Sequence, residues 1–374
     1  MNSETTELRI LFAGGGTGGH LFPALAIADT IRKQHPTAAI WFVGTRKKIE
    51  ARIVPKRGYG FETIWISGLQ RSLEPANVLF PVKVIVSLVQ SFLILRRCRP
   101  QVVVGTGGYV CGPVVFAAWL MRIPTLLQEQ NSYPGMTTRL LASRATEVHL
   151  TFEISRVHFT KQDNLHVSGN PTRSELGTIS RSEGARAFNL NPMQQTVLVV
   201  GGSLGASSLN QATTAILHDL IKQKVQLLWQ TGEKGYDQCA AAVSRAGKET
   251  KDLIRLRKFI DRMEYAYAAS DLVVCRAGAT TIAELTRVGV PSILVPYPAA
   301  AADHQTENAK AMVEAEAAVL LNDADIKNKL GAIIIDLLRS QEKRDRMAAK
   351  AKSLAKPDAA QELANRIIEL AQLT

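Results

Sequence analysis

The chain has 374 residues, 46% of them hydrophobic and 21% charged, a balance ordinary for a globular protein. Its length exceeds the roughly 250–300 residues at which a single core stops growing, so two domains are expected. A net charge of +12 and a pI of about 9.6 imply an anionic partner: nucleic acid, an anionic membrane surface or an acidic substrate.

The four cysteines (Cys98, Cys111, Cys239 and Cys275) form no CxxC pair. This fits neither a disulfide framework nor a zinc site and suits a reducing cytosol. The opening "MNSETTELRI" lacks the basic and apolar regions of a signal peptide, so action on the cytoplasmic side is expected.

In chain order, the apolar run Leu8–Ala13 leads into Gly14, Gly15, Gly16, Thr17, Gly18 and Gly19. Leu25, Ile27, Ala28 and Ile31 then follow at helical spacing. This strand, glycine turn and helix recur at Gln101–Leu120, Thr196–Ala212 and Asp271–Leu285, with shorter strands at Ile40–Val43, Thr125–Leu127 and Ser292–Val295. The expected class is α/β, with two Rossmann-like doubly wound parallel sheets. Turn residues cluster at His166–Leu176, so the boundaries are set at 1–168, 169–355 and 356–374. Pro357–Asp358 opens an amphipathic segment, Ala359–Leu373, whose packing partner periodicity does not reveal. Ligands of such sheets bind beyond the carboxyl ends of the strands, where all four glycine turns fall.

The loop Gly14–Gly19 lets the backbone approach an anion, and the next helix points its positive end there. It is not a Walker loop. Nor does a carboxylate for a ribose stand at the end of the next strand, "IWFVGTRKK" (Ile40–Lys48). The alternative is a tight turn without ligand. His20 at the rim is either a solvated helix-start residue or a general base, for which its ordinary pKa of about 6.5 is suited.

The loop "GGSLGASSLN" offers N–H groups and the Ser203 hydroxyl to a second diphosphate, or is a packing turn. Ala279, Thr280 and Thr281 open a helix, with Glu284 about one turn on. That carboxylate either complements the helix dipole or accepts ribose hydroxyls. Glu129 and Asn131, in "QEQNSYPG", are read as turn formers, and Gln305, in "DHQTEN", either reads sugar hydroxyls or sits in a solvated helix start. Asp323–Asp325 reads as a helix cap far from the glycine turns, and no metal or cofactor is expected.

Val78–Pro100 is mostly apolar, with Lys83, Ser87, Gln90 and Ser91 on one stripe and Pro81 and Lys83 interrupting it. It falls short of the roughly 20 apolar residues of a membrane span. The plainer reading is a crossover helix buried against the first sheet. The other is a patch lying on anionic lipid, with Leu79 and Phe80 at one end and Arg96 and Arg97 at the other.

Taken in order, "GGTGGHLFPALAIA", "GTGGYVCGP", "EQNSYPG", "GNPTR", "GGSLGA", "CRAGATTIAE" and "HQTENA" span nearly the whole chain. The set resembles the MurG family, bacterial peptidoglycan N-acetylglucosaminyltransferases of the GT-B class. The resemblance implies two Rossmann-like domains facing a cleft. It implies inverting transfer of GlcNAc from UDP-GlcNAc to the MurNAc C4 hydroxyl of lipid I, giving lipid II for cell-wall synthesis, at the cytoplasmic face of the membrane. It makes 1–168 the acceptor and membrane domain, and 169–355 the donor domain.

By the same resemblance, Gly14, Gly15 and Gly16 cradle the acceptor diphosphate. His20, with Glu129 and Tyr109, forms the catalytic group. The donor contacts are Thr17, Gly18, Gly19, Asn131, Arg173, Ser203, Ile260, Ala279, Thr280, Thr281, Ile282, Ala283, Glu284 and Gln305. Ile260 meets uracil through its backbone. Gln128, Ala277, Ala283 and Leu204 depart from residues common in the family, and Gln128 is given no catalytic role.

Rival readings are another GT-B enzyme, a UDP-GlcNAc epimerase, or a non-catalytic sugar-nucleotide or lipid-binding module. A nicotinamide oxidoreductase lacks its ribose acid. Nucleic-acid binding is set aside, since only the charge suggests it and aromatic residues are 6%.

Overall fold

The structure is a computed structural model that describes residues 7–68, 79–202, 205–248, 250–300 and 303–373. It divides into two units, 1–173 with 356–374, and 174–355.

The first unit holds a seven-stranded parallel sheet: β1 (Arg9–Gly14), β2 (Ala39–Gly44), β3 (Gly60–Thr63), β4 (Val102–Gly107), β5 (Thr125–Glu129), β6 (Glu147–Leu150) and β7 (Leu165–Val167). Their spatial order is β3-β2-β1-β4-β5-β6-β7, so the order reverses beside β1. In β1, Leu11 and Ala13 enter one core while Ile10 and Phe12 enter another. That is the period of two in a strand buried on both faces, and it explains the unbroken apolar run.

The core around Ile10 and Phe12 is closed by the Gly18–Gln34 helix and by the chain's last helix, Ala359–Gln372. Leu363, Ala364 and Ile367 of that last helix are fully buried there. The C-terminal segment therefore completes the first unit. Arg366 pins it further by pairing with Glu147 on β6.

The second unit repeats the plan with six parallel strands: β8 (Thr196–Val200), β9 (Gln226–Gln230), β10 (Ile254–Arg257), β11 (Leu272–Cys275), β12 (Ser292–Leu294) and β13 (Val319–Leu320). Their order is β10-β9-β8-β11-β12-β13, with the reversal beside β8. Val197 and Val199 face one core and Leu198 the other. In each unit the reversal places a glycine loop at the carboxyl end of the central strand, where a doubly wound sheet binds its ligand.

The Phe80–Cys98 helix departs from the plainer expectation. Ser87 and Ser91 are fully buried, while Val82, Ile85, Val89, Phe92 and Leu93 are exposed, Ile85 at 63% and Leu93 at 60%. The buried serines satisfy their hydroxyls on the helix's own carbonyls, Ser87 on Val84 and Ser91 on Ser87. Small residues on that face let the helix pack closely on the Cys111–Leu120 helix. The polar stripe thus faces inward and the apolar stripe faces solvent. Val78 lies outside the described residues. Among the described residues no helix is long and apolar enough to cross a membrane.

Candidate functional site

In the first unit the chain leaves β1 at Gly14 and turns into the Gly18–Gln34 helix. A Cβ on Gly14 would stand 2.0 Å from Thr106 Oγ1, and Gly16 adopts φ +85°, so glycine is required for space at one position and for conformation at the other. Thr17 is the extended N-cap residue. No side chain caps the helix, and its first turn carries no acidic residue. The helix start therefore keeps its partial positive charge toward solvent and ligand.

His20 lies in that first turn, half-buried against the glycines after β4. A Cβ on Gly107 would be 3.1 Å from its Cδ2, and one on Gly108 would be 3.7 Å from its Nδ1. Its Nδ1 is enclosed and meets no hydrogen-bond partner among the described residues. Burial pulls its pKa down, the charge of Glu50 pulls it up, and the balance is about 4. The imidazole is therefore neutral at pH 7, and a bound anion would raise its affinity for a proton. Tyr109, two residues beyond Gly107, faces Gly16. Burial first, and Glu50 second, raise its pKa despite a hydrogen bond with Thr45, so it is a hydrogen-bonding phenol and not a base.

Glu129 ends β5 and is almost fully buried. Its Oε1 accepts from Asn131 N–H at 3.1 Å and Asn131 Nδ2 at 3.2 Å, and its Oε2 accepts from Gly135 N–H at 3.0 Å. The carboxylate thus shapes the 129–135 loop and fixes the Asn131 side chain. Gln130 Nε2 donates to Thr106 O at 2.9 Å, tying this loop to the end of β4. Arg173 stands with its guanidinium 5.8 Å from the ring centre of Phe22, in the same unit.

Ile260, Ala279–Glu284 and Gln305 belong to the second unit. Ser203 and Leu204 lie outside the described residues, but the flanking turn is defined. Gly202 and Gly205 take φ +84° and +81°. A Cβ on Gly205 would be 2.3 Å from Thr231 O, whereas one on Gly202 would meet nothing within 4 Å among the described residues. Gln230, at the end of β9, donates to Gly202 O at 3.0 Å and accepts from Ile260 N–H at 2.8 Å. The Ile260 N–H is thereby occupied.

The Ala279–Val288 helix starts after Gly278 with no side-chain cap and no acid in its first turn. Ile282 points into the core, so any ligand contact at 282 runs through its backbone. Buried Glu284 accepts from the Tyr267 hydroxyl at 2.9 Å. Gln305 accepts from Tyr297 N–H at 2.9 Å and so closes the loop after β12.

Two residues, Glu50 and Gln230, escaped the sequence reading, and a third, Asp323, takes a different role from the one expected. Glu50 is buried beneath the first glycine loop, where it accepts from Gly16 N–H at 3.0 Å, Thr45 N–H at 3.1 Å and Thr45 Oγ1 at 2.9 Å. It stands two residues beyond Lys48, past the end of the apolar strand and its basic turn. Gln230 shows only as a polar residue ending an apolar strand. Asp323, expected far from the glycine turns as a cap, instead pairs with Arg276 at 2.6 Å and accepts from Ser208 Oγ at 2.7 Å. Arg276 also donates to Ser208 Oγ at 2.8 Å and to the carbonyls of Val295 and Pro296. Asp323 therefore braces the helix after the second glycine loop against the ends of β11 and β12.

Two glycine loops at the switch points of two parallel sheets, each beside an uncapped helix start, define a pair of Rossmann-like units with places for phosphate-bearing ligands. The model of the glycosyltransferase family 28 N-terminal domain matches residues 10–150, and that of the family's C-terminal domain matches residues 196–363. A protein of Salinibacter ruber described as UDP-N-acetylglucosamine–N-acetylmuramyl-(pentapeptide) pyrophosphoryl-undecaprenol N-acetylglucosamine transferase is 44% identical over 369 residues, 98% of each chain. The crystal structure of Acinetobacter baumannii MurG aligns with a TM-score of 0.72 at 28% identity, over 97% of this chain and 99% of that one. A Neisseria meningitidis UDP-GlcNAc 2-epimerase bound to UDP-GlcNAc aligns at a TM-score of 0.66 and 12% identity, over 97% of this chain and all of that one, and shares the fold alone. The chain belongs to the UDP-N-acetylglucosamine–N-acetylmuramyl-(pentapeptide) pyrophosphoryl-undecaprenol N-acetylglucosamine transferases of glycosyltransferase family 28.

Proposed function

We infer that this chain is an inverting N-acetylglucosaminyltransferase that moves GlcNAc from UDP-GlcNAc to the MurNAc C4 hydroxyl of lipid I, forming lipid II for peptidoglycan. Its family membership supports the reaction, and the site supports the roles. The acceptor O4 loses its proton to His20 and attacks C1 of the donor. The C1–O bond breaks on the opposite face, and its electron pair leaves with UDP. The observation that carries this reading is the His20 imidazole packed against Gly107 and Gly108 in the first turn of an uncapped helix, its Nδ1 unpartnered among the described residues. A general base of this kind contributes about 10²–10⁴-fold in rate.

In this reading the acceptor diphosphate lies at Gly14–Gly16 and the adjoining helix start. Tyr109 hydrogen-bonds it, and Glu129 acts by holding Asn131. The donor diphosphate lies at the second glycine loop, Ser203 included, and at the Ala279–Thr281 helix start. Those N–H groups stabilise the charge that develops on UDP. Glu284 receives the ribose and the Ile260 carbonyl the uracil. Gln305 and Asn131 read the sugar, and Thr17, Gly18, Gly19 and Arg173 complete the donor contacts.

The exposed stripe Val82, Ile85, Val89, Phe92 and Leu93 supports peripheral attachment to an anionic cytoplasmic leaflet. Leu79 precedes it, and Arg96 and Arg97 follow it at the helix end. Apolar insertion at about 25 cal/mol per Å² and about 1 kcal/mol per basic residue would act together.

The test is incorporation of radiolabelled UDP-GlcNAc into a short-chain lipid I analogue. Label in a lipid II-like product is expected. Donor binding without transfer would point to another acceptor or to a binding module.

A further inference from the structure

Glu50 has no role in the reading above, yet among the described residues of the first unit it is the most confined carboxyl group, at 1% exposure. The fold makes room for it: a Cβ on Gly44 would stand 2.4 Å from its Cγ, and one on Gly15 would stand 2.7 Å from its carboxyl carbon. Three donors converge on its two oxygens, from Gly16 and Thr45. Thr45 also lies by the Tyr109 hydroxyl, where it favours the phenolate against burial, and the Tyr109 ring faces Gly16. A buried anion under a loop meant for an anionic ligand opposes binding, so its retention needs another benefit.

We propose that Glu50 is a positioning residue of the transfer step, holding the Gly14–Gly16 loop and Tyr109 in place and stabilising through space the positive charge that His20 acquires. This rests on His20 as the base. When O4 surrenders its proton to the imidazole, bonds to C1 and releases UDP, a neutral ring becomes a cation in an enclosed site. A fixed carboxylate nearby lowers the energy of that state and requires no rearrangement. Gly107 and Gly108 on the β4 side bring no charge, the Tyr109 phenol is protonated, and Glu50 is the charged group that acts on His20. Its pull is upward, against burial.

The experiment compares Glu50→Gln, Glu50→Asp, His20→Ala and the Glu50→Gln/His20→Ala double variant by label transfer across pH, with UDP-GlcNAc affinity measured on each. Glu50→Gln keeps the size and removes the charge. It is expected to lower kcat on the order of 10-fold and to move the acidic limb of kcat to lower pH by about half a unit or more. It should leave UDP-GlcNAc affinity within about twofold and add little to His20→Ala. Glu50→Asp keeps the charge, so its limb stays at the wild-type position while kcat falls. This arm decides the matter if the Gln variant does not fold.

An unmoved limb in Glu50→Gln would overturn the proposal, as would a displaced limb in Glu50→Asp or an equal loss in the His20→Ala background. His20→Ala turning over at the wild-type rate would instead remove the base reading itself.

Discussion

The two glycine loops stand at equivalent points of two similar sheets, yet each is anchored from below by a different chemistry. Under the first, a carboxylate accepts the Gly16 N–H and turns it inward. Under the second, the Gln230 amide donates to the Gly202 carbonyl and turns that oxygen inward. The Gly201 N–H meets the Gln230 carbonyl and the Gly205 N–H meets the same Gly202 oxygen, so what separates the two loops is the charge of the anchor. An inward N–H with a buried negative charge leaves a poorer anion cradle and a better setting for a cation. In the proposed reading the second loop holds a diphosphate and the first supports a proton transfer beside one. Topology alone does not distinguish them; one buried side chain in each does.

Exchanging those anchors has the largest expected effect. Gln230→Glu removes the donor to Gly202 O and adds negative charge under the donor loop. It should weaken UDP-GlcNAc binding on the order of 100-fold by calorimetry, an effect of about 2–3 kcal/mol. Unchanged affinity would mean that the second loop does not hold the diphosphate.

Two substitutions within that loop separate space from conformation. Gly205→Ala should destabilise the second unit by about 2–4 kcal/mol in urea unfolding, from its 2.3 Å approach to Thr231 O and its positive φ together. Gly202→Ala carries only the conformational strain, about 1–2 kcal/mol. Equal losses would contradict the geometry.

A third test concerns the first unit's own closure. Burial raises the Glu147 pKa, but hydrogen bonds from Arg366 and His149 outweigh it and leave the carboxyl below its ordinary value. A depressed carboxyl stabilises the fold above its unfolded pKa, and that stability is lost as pH falls through the folded value. Arg366→Ala should therefore cost about 1–3 kcal/mol at neutral pH, reduced by the partial exposure of Arg366. The gap to wild type should close in acid. A pH-independent gap would assign the loss to packing.

The smallest effect on stability is expected at the exposed stripe. Ile85→Asp and Leu93→Asp should change unfolding by about 0.5 kcal/mol or less. Each should reduce partitioning to anionic vesicles on the order of 10-fold. Unchanged partitioning would remove the membrane reading of that face.

Much of this was legible in the sequence. Unbroken apolar runs ending in glycines reported strands buried on both faces, and the ordered loop motifs reported the family. The missing parts depend on three-dimensional proximity. Glu50 reaches back under a loop 34 residues earlier, which no local pattern signals. The serines of the Phe80–Cys98 helix marked its polar stripe correctly, but periodicity does not say which stripe faces the protein. Here the small residues face inward because their hydroxyls are satisfied on their own helix. Asp323 looked like a cap because its partner Arg276 is 47 residues away.

The most direct test of the division between the units is one preparation of His20→Ala, titrated with UDP-GlcNAc and then assayed for label transfer to a lipid I analogue. The account predicts donor affinity within about twofold of wild type and transfer slower by about 10²–10⁴-fold. Transfer at the wild-type rate, or donor binding lost together with transfer, would contradict it.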